Sequence, residues 1–206
     1  MSEEQDWDQR YARSTRIWSG DPNVVLAREV ADLPPGSALD LGAGEGADAV
    51  WLAQRGWRVT AVDISGVALQ RAAAHAAAAG VADRIDFQRR DLGETFPDGT
   101  YDLVSAQFLH SYGPLPRMRV LRSAAAAVAR GGILLVEGHQ DHGPFHHEGQ
   151  GQVVFRPVEQ VVSELGLDAG GWEVLLCETH ERSRTGPDGR SARRTDSTVK
   201  ARRAVA

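Results

Sequence analysis

The sequence predicts an α/β domain whose mostly parallel sheet is covered by helices on both faces. From Ser37 to Gly138, short segments rich in β-branched residues or leucine alternate with longer, alanine-rich segments. Glycines and aspartates punctuate this alternation where helices and strands are expected to end. Strands that alternate with helices form parallel sheets with both faces buried. Two more strand-like segments, separated by a polar turn near the end of the chain, predict an antiparallel hairpin at one sheet edge.

Five strands and three helices are predicted in this region. Alanine favours helix, and a glycine follows each alanine-rich segment, where a left-handed residue often ends a helix. The strands are SALDL at 37–41, WRVTAVD at 57–63, RIDFQ at 84–88, YDLVSAQ at 101–107 and GILLVEG at 132–138. The helices are ADAVWLAQR at 47–55, GVALQRAAAHAAAA at 66–79 and RMRVLRSAAAAVA at 117–129.

The remaining segments complete one predicted seven-stranded domain over residues 1–206. Residues 139–156 lack a regular pattern around Gly143–Pro144, so we expect a loop of the kind that often covers an active site. The predicted elements of residues 157–206 are a helix at Val158–Leu165 and hairpin strands at Trp172–Glu181 and Thr195–Arg203.

Residues 1–36 form a predicted N-terminal arm ahead of the sheet. The arm contains Trp7, Tyr11 and Trp18 in an otherwise charged segment, followed by a predicted helix at Val24–Asp32. Three large aromatic side chains exceed what solubility needs in so short a segment. The arm is therefore expected to pack against the core or to fold over a ligand.

The composition is typical of a globular protein, with 42% hydrophobic and 25% charged residues. No apolar run approaches the ~20 residues that cross a bilayer, and the polar N-terminus does not resemble a secretory signal, so no membrane association is expected. The net charge of −5 argues against broad nucleic-acid binding, although the last stretch is locally basic. Cys177 is the only cysteine, so a cytoplasmic location is expected. The oligomeric state is left open.

The sequence ALDLGAGEG places a glycine-rich turn directly after the first strand. In doubly wound sheets, ligands bind beside this turn at the carboxyl ends of the strands, and glycines let a ligand approach the backbone. Gly42, Gly44 and Ala47 fit the dinucleotide-binding pattern G-x-G-x-x-G/A, but so short a match is weak. Charge is the better guide to the ligand.

The turn and its flanks carry three carboxylates, those of Asp40, Glu45 and Asp48, and no lysine or arginine. These charges would repel a pyrophosphate by several kcal/mol in a partly desolvated cleft, which disfavours a dinucleotide. S-adenosyl-L-methionine instead carries a sulfonium, an ammonium that can pair with Asp40, and one carboxylate that helix N–H groups can hold. The turn therefore favours a small cationic cofactor.

Two further aspartates follow the next strands. Asp63 ends the second strand, 23 residues after Asp40, where its carboxylate can accept both ribose hydroxyls. Asp91 follows the third strand and can accept from the adenine amino group, with the Leu92 N–H donating to a ring nitrogen. Any one of these aspartates in isolation is better interpreted as a helix cap. Three at successive strand ends favour a shared site.

Four motifs resemble those of the class I S-adenosylmethionine-dependent methyltransferases, and the resemblance spans about residues 18–203. The motifs are LDLGAGEG at 39–46, AVDIS at 61–65, RDL at 90–92 and YDLVSAQFLH at 101–110. More narrowly, IWSGDPN at 17–23 and VARGGILLVEGH at 128–139 resemble the small enzymes of the tellurite-resistance and thiopurine-methyltransferase-like type. In that group an aromatic N-terminal arm folds over the cofactor.

This resemblance implies a Rossmann-like class I methyltransferase fold. It also implies an enzyme that methylates a small molecule and converts S-adenosyl-L-methionine to S-adenosyl-L-homocysteine. Ala43 stands where relatives often have cysteine, a change that a backbone contact tolerates. The cofactor-binding residues expected from the motifs and the argument above are Trp18, Asn23, Asp40, Gly42, Ala43, Gly44, Asp63, Ile64, Asp91, Leu92 and Gln107.

The acceptor side of the site is less determined by the sequence. A thiol, selenium or tellurium acceptor needs no base, whereas a hydroxyl does. His110 is the candidate base because histidine titrates near neutrality, but a histidine that only forms a hydrogen bond at the strand end fits the sequence at least as well. The expected acceptor-binding residues are Tyr11, His110, Tyr112 and His139.

The histidine-rich segment HQDHGPFHHEG at 139–149 contains metal-ligating residue types. Their spacing matches no specific metal motif, so no metal is expected and we interpret the segment as a polar lid over the acceptor site. Two other functions fit less well: a non-catalytic protein that binds S-adenosylmethionine or S-adenosylhomocysteine, and an NAD(P)-dependent oxidoreductase. A macromolecule methyltransferase is disfavoured because no recognition domain accompanies the core.

Overall fold

The computed structural model describes residues 2–111, 115–141, 155–185 and 191–205, which form a seven-stranded sheet flanked by helices. The strand order is β3-β2-β1-β4-β5-β7-β6, in which β1 to β5 are parallel and β6 and β7 form an antiparallel edge. The predicted α/β fold and C-terminal hairpin are confirmed. The strands are β1 Ser37–Leu41, β2 Arg58–Asp63, β3 Ile85–Arg89, β4 Tyr101–Gln107, β5 Val128–His139, β6 Trp172–Thr185 and β7 Ser191–Arg203.

Helices cover both faces of the sheet. Buried side chains of α2 and α3 form one apolar cluster with the strands, and those of α5 and α6 form another. None of the helices in the described part of the chain is long and apolar enough to cross a membrane. The helices are α1 Glu3–Ala12, α2 Val24–Val30, α3 Ala47–Gln54, α4 Gly66–Ala78, α5 Arg117–Ala126 and α6 Val158–Glu164.

The structure differs from the predictions at some element boundaries. The arm contains a helix, α1, whose N-terminus is closed by reciprocal hydrogen bonds between Ser2 and Gln5. Strand β5 begins at Val128, inside the third predicted helix, because Val128 is fully buried and pairs with Tyr101 of β4. Strands β6 and β7 also extend closer to their connecting turn than the apolar pattern predicted.

The order of the strands reverses between β1 and β4. The chain runs from β1 outward to β2 and β3 and then returns to β4 on the other side of β1. Such a reversal opens a crevice beyond the carboxyl ends of the strands, where ligands bind in this class of sheet. The glycine turn after β1 lies at this edge.

The core supports a direct stability test. Leu135 of β5 is fully buried, so we expect Leu135→Ala to lower the free energy of unfolding by about 2–5 kcal/mol through lost apolar burial and a cavity. Val174→Ala is the control, because Val174 is 38% exposed on the edge strand β6 and the change should cost less than about 0.5 kcal/mol. Urea unfolding measures both, and equal losses would contradict the described core.

Candidate cofactor and acceptor site

Hydrogen bonds to β2 hold the glycine turn in place. The Gly42 and Ala43 N–H groups donate to a β2 carbonyl at 2.8 and 2.9 Å, and the Gly44 N–H donates to Asp63 Oδ2 at 2.8 Å. Gly44 has a φ of +53°, and a Cβ there would lie 3.0 Å from the Tyr11 hydroxyl oxygen. A side chain at Gly44 would therefore strain the backbone and crowd the arm.

Asp63 connects the glycine turn to the start of α4. Its Oδ2 accepts the Gly44 N–H and its Oδ1 accepts the Ser65 N–H, each at 2.8 Å. Burial raises the pKa of Asp63, while these N–H groups oppose the rise. Each carboxylate oxygen keeps a second lone pair, so both oxygens remain able to accept a ribose hydroxyl.

Asp40 is a buried carboxyl without a complete set of partners. It is 2% exposed, and no described residue donates a hydrogen bond to its Oδ2. Burial raises the pKa of Asp40 well above its ordinary value, and the negative charges of Asp48 and Asp63 raise it further. Leaving a buried carboxyl unpaired is costly, so this position favours a cationic or hydrogen-bond-donating ligand.

Asp48, the other acid next to Asp40, is paired within the protein. The Asn23 backbone N–H donates to Oδ1 of Asp48 and the Asn23 amide donates to Oδ2, each at 2.7 Å. Burial raises the pKa of Asp48 and these two hydrogen bonds oppose the rise. The structure therefore gives Asn23 a role in joining the arm to α3, and any contact with the cofactor stays a prediction.

Glu45 joins the turn, α4 and the arm. Its carboxylate is 5% exposed, pairs with Arg71 at 2.8 Å and accepts the Ile17 and Trp18 N–H groups at 3.1 Å each. Although burial opposes the change, these partners lower the pKa of Glu45 below its ordinary value. The prediction that Glu45 adds an unbalanced negative charge to the turn is wrong, because Arg71 balances that charge.

The arm lies over the glycine turn. The Trp18 indole N–H donates to the hydroxyl of Tyr11 at 3.2 Å, and both groups approach Gly44. Tyr11 is buried, whereas Trp18 is 42% exposed. The Asp8 carboxylate of α1 accepts the Ser65 hydroxyl hydrogen bond at 2.5 Å. The arm is thus fastened beside both predicted cofactor acids.

Asp91 and Leu92 lie on the turn that follows β3. The exposed Asp91 carboxylate accepts the Gly93 N–H at 2.8 Å, so one of its oxygens closes this turn. Leu92 is half-buried against the apolar cluster of α5 and α6. Both residues lie at the expected edge of the sheet, and their contact with adenine stays a prediction.

A row of buried polar atoms without partners runs across the same edge of the sheet. Gln107 of β4 is opposite Glu137 of β5, which is opposite Thr198 of β7, so the three share one face. The atoms of this row that lack a hydrogen-bond partner among the described residues are Asp40 Oδ2, Gln107 Oε1, Glu137 Oε2, Thr198 Oγ1 and His180 Nδ1. Native proteins leave few such atoms unpaired, so the row marks a place that a ligand or water completes.

His110 is placed at the end of β4 as expected, but its geometry does not suit a base. Its Nε2 accepts the His139 backbone N–H at 3.1 Å, so we assign the ring proton of the neutral form to Nδ1. Burial lowers the pKa of His110 to about 2, and the positive charge of Arg117 contributes. The structure favours the hydrogen-bonding interpretation of this histidine.

His139 belongs to a buried cluster with Asp196. The His139 Nδ1–H donates to Asp196 Oδ1 at 2.7 Å, and Arg182 pairs with Oδ2 at 2.6 Å. Glu137, His180 and Asp196 could bring metal-ligating atoms within 4.8 Å of one another. Arg182 already balances the charge of Asp196, so the cluster does not require an ion.

Some predicted site residues lie outside the part of the chain that the structure describes, and two residues of the site were not predicted. Tyr112 and residues 142–154 lie outside the described residues, so the predicted lid and the role of Tyr112 are not addressed. Glu137 and Arg71 were missed. An acid in the apolar strand GILLVEG was a usable signal for Glu137, whereas nothing near Arg71 in the sequence indicates a partner 26 positions away.

Comparisons with known proteins agree with this fold. Residues 38–132 match the family described as "Methyltransferase domain". The chain superposes with TM-score 0.74 and 22% identity on a structure from work on the conversion of a disulfide bond into a thioacetal group during echinomycin biosynthesis, covering 99% of this chain and 93% of the other. Residues 38–132 are therefore similar to the methyltransferase-domain family, and the chain shares its fold with solved methyltransferases.

The chain also resembles other solved structures in fold. TehB from Haemophilus influenzae superposes with TM-score 0.70 and 16% identity over 98% of this chain and 67% of TehB, in line with the narrower resemblance to the tellurite-resistance type. Magnesium protoporphyrin IX methyltransferase (ChlM) from Synechocystis PCC 6803, solved with bound S-adenosylhomocysteine, gives TM-score 0.66 and 18% identity over 98% of this chain and 100% of ChlM.

Curated relatives match parts of this chain. The probable chloroplastic tocopherol O-methyltransferase of Oryza sativa subsp. japonica is 34% identical over 108 residues, which are 52% of this chain and 29% of the relative. Ribosomal RNA small subunit methyltransferase C of Alcanivorax borkumensis is 41% identical over 71 residues, or 34% of this chain and 22% of the relative. The chain thus spans less than a third of the length of these relatives.

The Glu45 contacts predict how the arm is held. Glu45→Gln removes the charge that pairs with Arg71, so we expect the Ile17 and Trp18 amides to exchange hydrogen faster and stability to fall by about 1–3 kcal/mol. Glu4→Gln is the control, because its ion pair with Arg89 is exposed. Native-state hydrogen exchange measures the effect, and unchanged protection at residues 17 and 18 would exclude this anchoring role.

Glu137 predicts a pH dependence of stability. Burial, together with the negative charge of Asp196, raises the pKa of Glu137 to about 7. The Glu137 carboxyl therefore binds its proton more tightly in the folded protein than in the unfolded chain. The protonated carboxyl contributes to stability at low pH, and this contribution is lost as the pH rises through about 7. Relative to wild type, Glu137→Gln should gain up to about 3 kcal/mol between about pH 4.5 and pH 8. Urea unfolding at several pH values measures the difference in the free energy of unfolding between Glu137→Gln and wild type. A difference that does not change with pH would contradict the prediction.

Proposed function

We propose that this chain transfers a methyl group from S-adenosyl-L-methionine to a small-molecule acceptor. The observation that carries the proposal is the buried Asp40 Oδ2, which lacks a donor among the described residues and lies near two further acids. The ammonium and sulfonium of this cofactor would supply positive charge there. The pyrophosphate of NAD(P) would add negative charge, which argues against an oxidoreductase.

The cofactor is proposed to lie across the carboxyl ends of β1, β2 and β3. Its ammonium pairs with Asp40, its ribose hydroxyls donate to Asp63, and its adenine is recognised at Asp91 and Leu92. The backbone of Gly42 to Gly44 and of Ile64 provides close contacts on the turns, and Gln107 approaches from β4. The N-terminal arm, residues 1–36, covers the cofactor through Trp18.

Methyl transfer depends mainly on the alignment of the acceptor atom, the methyl group and the sulfur. Such alignment accounts for much of the rate acceleration in well-oriented displacement reactions. A hydroxyl acceptor also needs a base. Glu137 suits this role better than His110, because its Oε2 has no partner among the residues that the structure describes and its pKa of about 7 lies near neutrality. We assign the base to Glu137 for an acceptor that loses a proton.

Two comparisons support a small acceptor. The rice relative is named for tocopherol and ChlM for magnesium protoporphyrin IX, both small molecules. The ribosomal RNA relative is matched over 71 residues only. The net charge of −5 also argues against a broad nucleic-acid surface.

Calorimetry tests the cofactor site. We expect S-adenosylmethionine and S-adenosylhomocysteine to bind wild type, and Asp63→Ala to weaken both by about 1–3 kcal/mol through loss of charge-assisted hydrogen bonds. Asp86→Ala on the exposed side of β3 is the matched control and should bind as wild type. Binding of NADH or NADPH in place of these ligands would refute the proposal.

Turnover separates an enzyme from a binding protein. S-adenosylhomocysteine release should rise when a thiol, selenite, tellurite or phenol is added to the protein and S-adenosylmethionine. Tight cofactor binding without release from any acceptor would favour the non-catalytic alternative.

A further inference from the structure

Two neighbouring rows of residues across β5, β7 and β6 place acids and histidines on one face of the sheet. In the first row, Glu137 of β5 is opposite Thr198 of β7. In the next row, Asp196 of β7 lies between His139 of β5 and His180 of β6. Residues two positions apart on a strand share a face, so all five side chains lie on the same side of the sheet.

Glu137, His180 and Asp196, the acid–histidine cluster, bring three potential metal-ligating atoms close together. One carboxylate oxygen or ring nitrogen of each lies within 4.8 Å of the other two. Glu137 is 2% exposed and Asp196 is fully buried. Small side-chain shifts would bring three such atoms to the ~2.0–2.2 Å at which Zn²⁺ binds oxygen and nitrogen. An ion fits between these atoms and needs no cavity of the size that an organic ligand requires.

The cluster contains two buried polar atoms for which the described residues supply no partner. They are Glu137 Oε2 and His180 Nδ1. The other oxygen of Glu137 lies 3.4 Å from His180 Nε2, which is a long contact for a hydrogen bond. Buried carboxyl oxygens and imidazole nitrogens seldom lack partners in folded proteins. Both are ligand types that divalent transition metals prefer.

Asp196 is oriented by two donors and still keeps lone pairs for an ion. The His139 ring N–H donates to Oδ1 at 2.7 Å, and Arg182 Nε donates to Oδ2 at 2.6 Å. Each carboxylate oxygen retains a second lone pair. Carboxylates that bind metals are commonly held by such outer hydrogen bonds, which fix their orientation.

The charges around the cluster leave Glu137 as the acid to be neutralised. Arg182 balances Asp196, so Asp196 by itself needs no ion. Arg28, whose positive charge also acts on Glu137, is paired with two acids of its own. Within the described ranges, no lysine or arginine forms an ion pair with Glu137. A divalent cation would supply the missing positive charge.

The cluster is open to solvent on the side of His180. The His180 side chain is 26% exposed, whereas those of Glu137 and Asp196 are at most 3% exposed. An ion therefore has an entry path past the histidine. Thr198 is buried, and its Oγ1 has no partner in the part of the chain that is described, so it is available to a water bound to the ion.

We propose that Glu137, His180 and Asp196 bind one divalent transition-metal ion such as Zn²⁺. Two carboxylates and one imidazole suit such an ion better than Mg²⁺ or Ca²⁺, which take oxygen ligands. Water completes the coordination, as it does where a protein supplies three ligands to zinc. His139 and Arg182 are positioning residues, because they act on the ion only through Asp196.

The ion site stands independently of the methyl-transfer function proposed above. Its evidence is the cluster itself, and the cofactor-binding residues take no part in it. An ion would occupy the carboxylate that is assigned as the base for hydroxyl acceptors. The metal-loaded protein would therefore not use Glu137 in that role.

Calorimetric titration of the metal-stripped protein with Zn²⁺ tests the proposal, and Co²⁺ is titrated in parallel because its visible absorption reports its ligands. We expect one ion to bind at the cluster. Glu137→Gln and His180→Ala each remove a ligand and should weaken binding at least about tenfold. His139→Phe removes the N–H that orients Asp196 and should weaken binding about 10–100-fold.

Two controls separate the cluster from other ligands. Glu178→Gln removes an acid that is opposite Thr198 on the same face, but its side chain is 41% exposed and pairs with Arg28, so binding should stay unchanged. A triple variant, with alanine at the three histidines of the histidine-rich segment beyond residue 141, should also keep the site. Those histidines are His142, His146 and His147.

The outcomes decide the proposal. Binding of neither ion, or binding that Glu137→Gln and His180→Ala both retain at wild-type strength, would overturn it. Loss of binding in the triple variant alone would assign the ion to the histidine-rich segment and would overturn it as well. Glu137→Gln keeps the shape of the side chain, so it serves if His180→Ala fails to fold.

Discussion

The site depends on four carboxylates next to the glycine turn, of which Asp40, Glu45 and Asp48 are buried and Asp63 is half-buried. Each needs a partner, and three find one in the protein: Glu45 in Arg71 and two arm amides, Asp48 in Asn23, and Asp63 in backbone N–H groups. Those partners fasten the arm, α3 and α4 around the turn. Asp40 is left without a donor to Oδ2, so the same packing that completes the fold leaves one position for a positively charged ligand.

The fold was predictable because its signals are local. Alternating apolar periodicity, alanine-rich helices and terminal glycines each act over a few residues, and together they predict the parallel sheet and its hairpin. Predicted element boundaries were wrong where tertiary contacts determine where a strand begins. At Val128, burial and pairing with Tyr101 extend β5 into an alanine-rich segment. The helix in the arm was not predicted because its mostly charged sequence carries little apolar periodicity, and the capping pair Ser2 and Gln5 is the local signal that marks its start.

The site was predictable in part, for the same reason. Asp40 and Asp63 follow strands, so strand order alone places them at one edge of the sheet. The charge of Glu45 was misjudged because its partner comes from another helix, and the roles of His110 and Asn23 depend on single hydrogen bonds that no sequence pattern specifies. The acid–histidine cluster comes from three strands, and only the fold brings its ligand atoms together.

Proton release on cofactor binding tests the central claim most directly. Burial raises the pKa of Asp40 in the free protein, and an ammonium bound beside it would lower that pKa, so cofactor binding is expected to release protons. Calorimetry of S-adenosylmethionine binding at several pH values, in buffers of different ionisation enthalpy, counts the protons exchanged. The account predicts net release by wild type that is lost in Asp40→Asn. Binding without release, or release that persists in Asp40→Asn, would contradict it.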